Sequence, residues 1–383
     1  MRIAIISDLK NWEWAGCEEL WAALAASALR RGNRVAAFLS RASVSRQKVD
    51  PLVAMGLEVN LGHNPSQLVQ RIRRWSWRLE NVTSRLLPVF ASLENFAPDV
   101  LLVNCGDAIP TALFLRELEV VRALRLPYVV ICHNSYLFDK PTEGRHRDAT
   151  IRYYLGARQV CFVAERTRRE VEHLLGTGLP SVRIVRNPVN MTDIAPILMP
   201  DVSDVRIASI GRLAINSKGQ DILLGALGAP EFKDKVWKLS VYGGGPHLEH
   251  LKRLAHHYGI ADRVEFRGYV DDIRAIWKEH QLLALSSRVE SAPLVVVEAM
   301  LCARPCVVNN VGGVTEWITE PETGFVSEGQ HIDSFRMALG RAWLRKCDWA
   351  SIGTRARDIA LKLIDPDPGS TLLEILLKVV RGE

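Results

Sequence analysis

The chain has 383 residues, 48% of them hydrophobic and 24% charged, which is enough for two domains of ordinary size. That balance excludes an intrinsically disordered protein and is typical of a soluble globular one. The seven cysteines are odd in number and scattered, which predicts free thiols in a reducing compartment and no metal site. The first ten residues predict a strand rather than a signal peptide, and no apolar run approaches about 20 residues, so we expect a cytoplasmic protein.

Charge is unevenly distributed along the chain. Residues 1–190 contain 26 Lys and Arg against 18 Asp and Glu, whereas residues 191–383 contain 23 against 25. A basic first half predicts an anionic partner, such as a membrane surface or a phosphate-bearing acceptor. Residues 70–87 place five arginines beside Trp75 and Trp77, which fits a helix resting on an anionic membrane or an ordinary solvated helix. No recognised nucleic-acid module accompanies these arginines, so we expect no nucleic acid partner.

Apolar strands alternate with helices in the first half of the chain. We predict a helix over Glu18–Arg31, which Gly32 ends. The predicted strands are Arg2–Ser7, Arg34–Leu39, Val100–Asn104, Tyr128–Cys132 and Val160–Ala164. Continuously apolar strands that alternate with helices indicate a parallel sheet covered on both faces.

The alternation stops near residue 188, where three prolines in thirteen residues indicate a linker, and then starts again. The predicted strands of the second half are Val205–Ile210, Trp237–Tyr242, Val264–Arg267, Leu282–Ser286 and Cys306–Asn309. The predicted helices are Gln220–Leu227, Pro246–His257, Val295–Leu301 and an amphipathic one over Thr371–Val380. We therefore predict an α/β fold with two doubly wound, Rossmann-like domains. Their bounds are 1–190 and 205–365, with a linker over 191–204 and a C-terminal helix over 366–383 that returns to the first domain.

Two cations follow the first strand of the second domain. Arg212 comes after Gly211 at the strand end, and Lys218 precedes the next helix. An arginine fork and a lysine point charge at the end of a strand suit a diphosphate. A surface loop with two solvated cations has the same local pattern.

A glycine run follows the next strand of this domain. Gly243, Gly244 and Gly245 separate a strand from a helix, where they let a ligand approach the backbone and a helix N-terminus attract an anion. The residues after Gly245 do not fit the dinucleotide spacing GxGxxG. A glycine run by itself is weak evidence for a site.

Two carboxylates lie eight positions apart in the segment SSRVESAPLVVVEAM. Glu290 lies in a loop after a strand, and Glu298 lies about one turn into a helix that begins near Pro293. A carboxylate on the inner face of an apolar helix needs a polar partner. A ribose diol or a salt bridge would supply one.

The order of these motifs resembles a known family. Roughly residues 160–330 are similar to the donor domain of the large retaining GT-B glycosyltransferase family. The motifs that carry this similarity are, in chain order, GR…KG, GGGP, E-x7-E followed by AM, then GG, E and TGF. That family includes sucrose and glycogen synthases, mannosyltransferases and enzymes of bacterial polysaccharide assembly. The resemblance implies two Rossmann-like domains facing a central cleft. The first domain is matched more loosely.

The resemblance implies a role for each matching residue. Arg212 and Lys218 would hold the donor diphosphate, Glu290 would contact the donor sugar, and Glu298 would bind the ribose. His133 would lie near the transferred sugar. The phosphates and the nucleotide would be bound by residues that present backbone groups: Gly16, Gly211, Gly243, Gly244, Leu294 and Val295.

The sequence departs from the family pattern at several positions. Lys218 is one residue further from Arg212 than expected, and Ala15 and Pro293 replace common glycines. Ala303 and Arg304 alter a turn that usually has small residues.

The predicted activity is retaining, metal-independent transfer of a sugar from a UDP- or GDP-sugar to a glycan or lipid-linked hydroxyl acceptor. Such an enzyme takes its nucleotide sugar as substrate and has no cofactor. Asp271 and Asp272 resemble a metal pair, but their position before a helix predicts an N-cap. The open alternatives are a nucleotide-sugar epimerase or hydrolase, a catalytically silent binding or assembly protein, and a nicotinamide-dependent dehydrogenase.

Overall fold

The chain divides into two units, each built on its own parallel sheet. The computed structural model describes residues 1–7, 14, 16–40, 45–62, 88–110, 125–135, 144–191 and 193–383. The first unit comprises Met1–Pro188 together with Asp365–Glu383, and the second comprises Val189–Ile364. The arginine- and tryptophan-bearing segment over 70–87 lies outside the described residues.

The first unit is built on a seven-stranded parallel sheet with the order β3-β2-β1-β4-β5-β6-β7. Its strands are β1 (Arg2–Ser7), β2 (Arg34–Ser40), β3 (Glu58–Gly62), β4 (Val100–Cys105), β5 (Tyr128–Cys132), β6 (Gln159–Phe162) and β7 (Val182–Ile184). Its described helices are α1 (Gly16–Arg30), α2 (Arg46–Ala54), α3 (Pro88–Phe96), α4 (Gly144–Gly156) and α5 (Glu165–Leu175). The central strands β4 and β5 are buried at every position, as expected for a sheet covered on both faces.

The C-terminal helix packs against α1 within this unit. It spans Pro368–Arg381, and its Ser370 hydroxyl lies 2.9 Å from that of Ser27. A Cβ added to Gly369 would lie 2.3 Å from a backbone oxygen of α1, so the two helices approach closely at a glycine. Burial of Leu372, Leu373 and Leu376 at helical spacing provides the apolar part of this contact.

The second unit is built on a six-stranded parallel sheet with the order β10-β9-β8-β11-β12-β13. Its strands are β8 (Val205–Ile210), β9 (Trp237–Tyr242), β10 (Val264–Gly268), β11 (Leu282–Leu285), β12 (Cys306–Asn309) and β13 (Phe325–Ser327). Its helices are α6 (Ile215–Lys218), α7 (Gln220–Leu227), α8 (Leu248–His257), α9 (Ile273–Glu279), α10 (Leu294–Leu301), α11 (Ile332–Leu344) and α12 (Trp349–Leu363), and the C-terminal helix of the first unit is α13.

The predicted fold class of two doubly wound α/β units is confirmed. Each sheet reverses its strand order once, between β1 and β4 in the first unit and between β8 and β11 in the second. In open sheets of this kind, ligands bind beyond the carboxyl ends of the strands at such a reversal. The strands β3 and β7 were not predicted, because they are short edge strands without a continuous apolar run.

A buried arginine fixes the irregular segment that enters the second unit. Arg304 is fully buried and donates hydrogen bonds to the carbonyl oxygens of Ile197 (2.8 Å) and Leu198 (2.7 Å), and also to those of Trp277 and His280. Burial lowers the pKa of this guanidinium to about 10. At neutral pH Arg304 is therefore a structural cation satisfied by carbonyl dipoles, which accounts for its place in a turn that usually has small residues.

No helix among the described residues has both the length and the apolar character needed to cross a bilayer.

Candidate functional site

The predicted donor residues of the second unit follow the two strands at which its sheet reverses. Arg212 and Lys218 come after β8, and Glu290 comes after β11. Because β8 and β11 are hydrogen-bonded neighbours, their carboxyl ends lie side by side. This is the edge at which a doubly wound sheet binds ligands.

Lys218 and Glu290 form an ion pair at this edge. The Nζ of Lys218 lies 2.6 Å from Oε1 of Glu290, and the hydroxyl of Ser287 donates to the same oxygen at 2.7 Å. The Glu290 side chain is 9% exposed and that of Lys218 28% exposed. A nearly buried carboxylate with two donors is held in one position, and it holds the ammonium group in turn.

Two glycines allow the loops after β8, β11 and β12 to pack on one another. A Cβ at Gly219 would lie 2.1 Å from the carbonyl oxygen of Ser286, and one at Gly312 would lie 2.2 Å from that of Glu290. The φ angles of Gly219 and Gly312 are +59° and +53°, which residues with a side chain rarely adopt. Only glycine fits at these two positions. The glycines of the motifs KG and GG therefore allow the neighbouring loops to pack around Glu290.

The glycine run after β9 serves loop packing at two of its three positions. A Cβ at Gly243 would lie 2.2 Å from the carbonyl oxygen of Gly211, and one at Gly245 would lie 2.5 Å from that of Leu213. Only Gly244 faces open space within 4 Å. The sequence pattern explains these glycines by the close approach of a ligand. At Gly243 and Gly245 the packing of the loops explains them as well. Ligand contact at Gly243 and Gly244 stays a prediction.

Arg212 is an exposed residue whose backbone is held by a hydrogen bond from a neighbouring buried side chain. The carbonyl oxygen of Arg212 accepts a hydrogen bond of 2.8 Å from Nε2 of Gln220, a buried residue at the start of α7. Gln220 was not predicted as part of the site. A lone amide at the head of the apolar helix QDILLGAL is the sequence feature that indicates it.

Two further residues that the sequence analysis did not assign hold the loop after β11. Arg288 makes a bidentate ion pair with Asp221, at 2.6 and 2.7 Å, and donates to the carbonyl oxygen of Ile215. The buried Asn309 donates to the carbonyl oxygens of Ser286 and Ser287. These bonds tie the loop that contains Glu290 to α6, α7 and β12.

Glu298 is a buried carboxyl group inside the second unit. It lies on the fifth residue of α10, is 7% exposed, and makes no hydrogen bond or ion pair with any described residue. Burial raises the pKa of Glu298 to about 7. Leu294 and Val295 begin the same helix, where the first backbone amides have no intrahelical acceptor.

The remaining predicted residues, His133 and Gly16, belong to the first unit. His133 directly follows β5 and is buried, and its Nε2 lies 2.9 Å from Oδ1 of Asn104. Burial lowers the pKa of His133 to about 3, so its imidazole is neutral at physiological pH. Gly16 is the exposed first residue of α1. Ala15 lies outside the described residues.

The predicted N-cap role of the acidic pair before α9 is confirmed for Asp272. The carboxylate of Asp272 accepts hydrogen bonds from the backbone amides of Arg274 (2.9 Å) and Ala275 (3.3 Å). In the part of the chain that the structure describes, no three His, Cys, Asp or Glu side chains cluster in a way that would hold a metal ion.

Solved structures share the fold of the whole chain. HepE of Anabaena in complex with UDP superposes with a TM-score of 0.74 at 18% identity, and the alignment covers 100% of both chains. Sucrose-phosphate synthase from Thermosynechococcus elongatus gives a TM-score of 0.73 at 15% identity, again over 100% of both chains. The protein therefore has the GT-B fold of glycosyltransferases.

The second unit can be placed in a family by its sequence. Residues 204–344 match the family model described as "Glycosyl transferases group 1", so this part of the chain is a glycosyl transferases group 1 domain. A GDP-mannose-dependent alpha-(1-6)-phosphatidylinositol monomannoside mannosyltransferase of Mycolicibacterium smegmatis is 32% identical over 166 residues. That alignment covers 40% of this chain and 43% of the relative, so it spans less than half the length of either protein.

Proposed function

We propose that the protein is a retaining glycosyltransferase that transfers a sugar from a nucleotide sugar to a hydroxyl acceptor. The observation that carries the proposal is the Lys218–Glu290 ion pair at the sheet reversal of a glycosyl transferases group 1 domain. Glu290 holds an ammonium group at the edge where this fold binds its ligands. The same edge has the exposed cation Arg212.

The donor diphosphate would be held by cations and backbone amides. Arg212 and Lys218 supply a planar fork and a point charge for its phosphate oxygens. The free amides of Leu294 and Val295 lie at a helix N-terminus, which has a partial positive charge. These groups neutralise the leaving diphosphate in the transition state, so the proposed reaction needs no divalent metal and no cofactor.

The carboxylates of Glu298 and Glu290 would bind the ribose and the sugar of the donor. Glu298 is buried without a partner among the described residues, and the hydroxyls of a ribose would donate the hydrogen bonds that it lacks. Glu290 uses Oε1 for Lys218 and Ser287, and its second oxygen would accept from hydroxyls of the sugar. On the face from which the diphosphate departs, a phosphate oxygen would take the proton of the attacking hydroxyl, which gives retention without a protein nucleophile.

Named relatives indicate which donors to test. The mannosyltransferase of M. smegmatis is described as GDP-mannose-dependent. A crystal structure of HepE in complex with UDP-glucose superposes on this chain with a TM-score of 0.74. We therefore propose a UDP- or GDP-sugar as donor. For the acceptor we propose a glycan or lipid-linked intermediate of cell-surface polysaccharide synthesis, reached from the cytoplasmic side with the basic first unit on an anionic membrane.

The test is a thermal-shift panel of UDP, GDP and their sugar conjugates. A ligand at about 100 times its Kd stabilises the folded protein by roughly 2.7 kcal/mol, which raises the melting temperature measurably. Lys218→Ala should abolish the shift. The matched control Lys252→Ala, an exposed lysine paired with Glu249, should keep it. If no nucleotide shifts the wild-type protein, the proposed function is contradicted.

Nucleotide release distinguishes transfer from the other activities. A transferase releases UDP or GDP much faster when an acceptor is present, whereas a hydrolase releases it equally without one. An epimerase changes the sugar and releases no nucleotide. A silent binding protein shows the thermal shift and none of these reactions.

A further inference from the structure

A buried polar network occupies the sheet reversal of the first unit. Ser7 ends β1, Asn104 lies in β4, and His133 follows β5, so all three lie at the carboxyl edge of the sheet. Glu18, in the first turn of α1, is fully buried among them. The reversal between β1 and β4 therefore has its own carboxylate, as the reversal between β8 and β11 has Glu290.

The Glu18 carboxylate accepts from three donors. Ser7 Oγ donates to Oε1 at 2.7 Å, Asn104 Nδ2 donates to Oε1 at 3.0 Å, and Trp21 Nε1 donates to Oε2 at 2.7 Å. Burial raises the pKa of Glu18 to about 7, and these three bonds oppose that rise. The position of Glu18 near the N-terminus of α1 also favours its anionic form.

The orientation of Asn104 follows from this carboxylate. An ionised carboxylate only accepts hydrogen bonds, so the amide group that faces Glu18 must be the NH2. The carbonyl oxygen of Asn104 then faces His133, at 2.9 Å from Nε2. An oxygen can only accept, so Nε2 of His133 must be protonated.

The tautomer of His133 is thereby fixed. Burial lowers the pKa of His133 to about 3, so the ring has one proton, which the network places on Nε2. Nδ1 then has a lone pair and makes no hydrogen bond with any described residue. The backbone amide of His133 is bound to the carbonyl oxygen of Cys105 at 3.0 Å, which fixes the main chain from which the ring extends.

We propose that Glu18 is a positioning residue for sugar recognition: through Asn104 it holds His133 as the Nε2–H tautomer, so that Nδ1 accepts a hydrogen bond from a hydroxyl of a substrate sugar. This inference rests on the proposed transferase function. Glu18 and Asn104 do not touch the sugar. They determine which nitrogen of His133 can accept from it.

Glu18→Gln tests the proposal because the network predicts how this amide must lie. Trp21 Nε1 is a donor only, so the oxygen of the new side chain must face Trp21 and its NH2 must face Asn104. Asn104 then turns its oxygen to that NH2 and its own NH2 to His133. Nε2 of His133 becomes the acceptor, the proton moves to Nδ1, and the acceptor for the sugar hydroxyl is lost.

The first measurement is the tautomer of His133 in two-bond 1H–15N spectra of protein labelled at histidine nitrogen, recorded at about pH 8 so that Glu18 is ionised. His133→Ala identifies the resonances. We expect an Nε2–H pattern in the wild type and an Nδ1–H pattern in Glu18→Gln. The matched control is Glu19→Gln, the next residue of α1, whose carboxylate bonds Trp14 and Lys48 outside the network. It should keep the wild-type pattern. An unchanged tautomer in Glu18→Gln overturns the proposal.

The second measurement is kcat/KM for transfer in Glu18→Gln, His133→Ala and the double variant. Loss of one hydroxyl hydrogen bond predicts a fall of about 10- to 100-fold in each single variant, with the affinity for the free nucleoside diphosphate unchanged. Because Glu18 acts through His133, the double variant should be no slower than His133→Ala. Additive losses, or an unchanged kcat/KM in Glu18→Gln, overturn the proposal. A wild-type protein that transfers no sugar contradicts the transferase function instead, and the tautomer comparison still decides the role of Glu18.

Discussion

Replacement of Glu298 by glutamine should stabilise the ligand-free protein and weaken its binding of nucleotide. The carboxyl group of Glu298 is 7% exposed and has no hydrogen-bond partner among the described residues. Its charge therefore opposes folding when no ligand is bound. A glutamine of the same shape removes the charge and keeps the packing of α10.

The size of the effect follows from the pKa of Glu298, which burial raises from 4.5 to about 7. Between these two values the unfolded chain has released a proton that the folded chain retains, so stability falls as pH rises. The penalty is absent below about pH 4.5 and complete above about pH 7. A difference of about 2.5 pKa units corresponds to about 3 kcal/mol at 25 °C. At roughly 2–4 °C for each kcal/mol, Glu298→Gln should melt about 6–12 °C higher than wild type at about pH 8.

Differential scanning calorimetry at about pH 8 and about pH 5 measures both the gain and its pH dependence. The gain should shrink at the lower pH, because the wild-type carboxyl group is then protonated and neutral. The control is Glu322→Gln, an exposed carboxylate of the same unit, which should change stability by no more than about 0.5 kcal/mol. A variant no more stable than wild type at about pH 8, or a gain that does not depend on pH, would refute the reasoning. If Glu298 binds a ribose as proposed, the same variant should bind UDP or GDP about 10-fold or more weakly.

Three other predictions test features of the second unit. Gly245→Ala should cost about 1–3 kcal/mol in denaturant unfolding, because its Cβ would lie 2.5 Å from the Leu213 carbonyl oxygen, whereas Gly244→Ala, which faces open space, should cost less than about 1 kcal/mol. Equal costs would show that the loops after β8 and β9 do not pack as described. Arg304→Met should cost about 3 kcal/mol or more and lower the melting temperature, since it leaves buried carbonyl oxygens without a donor, and Arg304→Lys should restore only part of the loss. A neutral Arg304→Met would contradict the structural role of this cation. Asp272→Ala should cost about 1 kcal/mol through loss of the N-cap, and a larger effect that depends on added divalent cation would favour a metal role instead.

Local pattern was enough to predict five of the six strands of the second unit, whereas the helices α11 and α12 were not predicted. The bounds of β8, β9 and β12 match the predicted strands residue for residue, and α7 matches its predicted helix. These elements are runs of apolar residues between glycines or polar turns, so the information lies in adjacent positions. The N-cap at Asp272 was predictable for the same reason, because the acceptor and its donors are two and three residues apart.

The chain order of Lys218 and Glu290 by itself also indicates a shared site. Both follow strands of a predicted parallel sheet, and the resemblance to a family supplied a role for each. That they lie 2.6 Å apart depends on β8 and β11 being neighbours, which is a property of strand order.

Tertiary structure alone decided which charged residues are available to a ligand. By residue type alone, Arg288 and Arg304 have the same guanidinium group as Arg212. In the fold, Arg288 is paired with Asp221 and Arg304 is buried among carbonyl oxygens, so neither is available to a phosphate. Their partners come from distant parts of the chain, so no local pattern reveals them.

The hydrogen-bond network of Glu18, Asn104 and His133 also depends on both the local sequence and the tertiary structure. The sequence indicated His133 by its position after a strand, but Asn104 lies 29 residues before it and Glu18 another 86 before that. Only the parallel sheet brings these three side chains to one edge. The sequence thus determined the residues and the strands that position them, whereas the proton on His133 depends on hydrogen bonds that exist only once the sheet has formed.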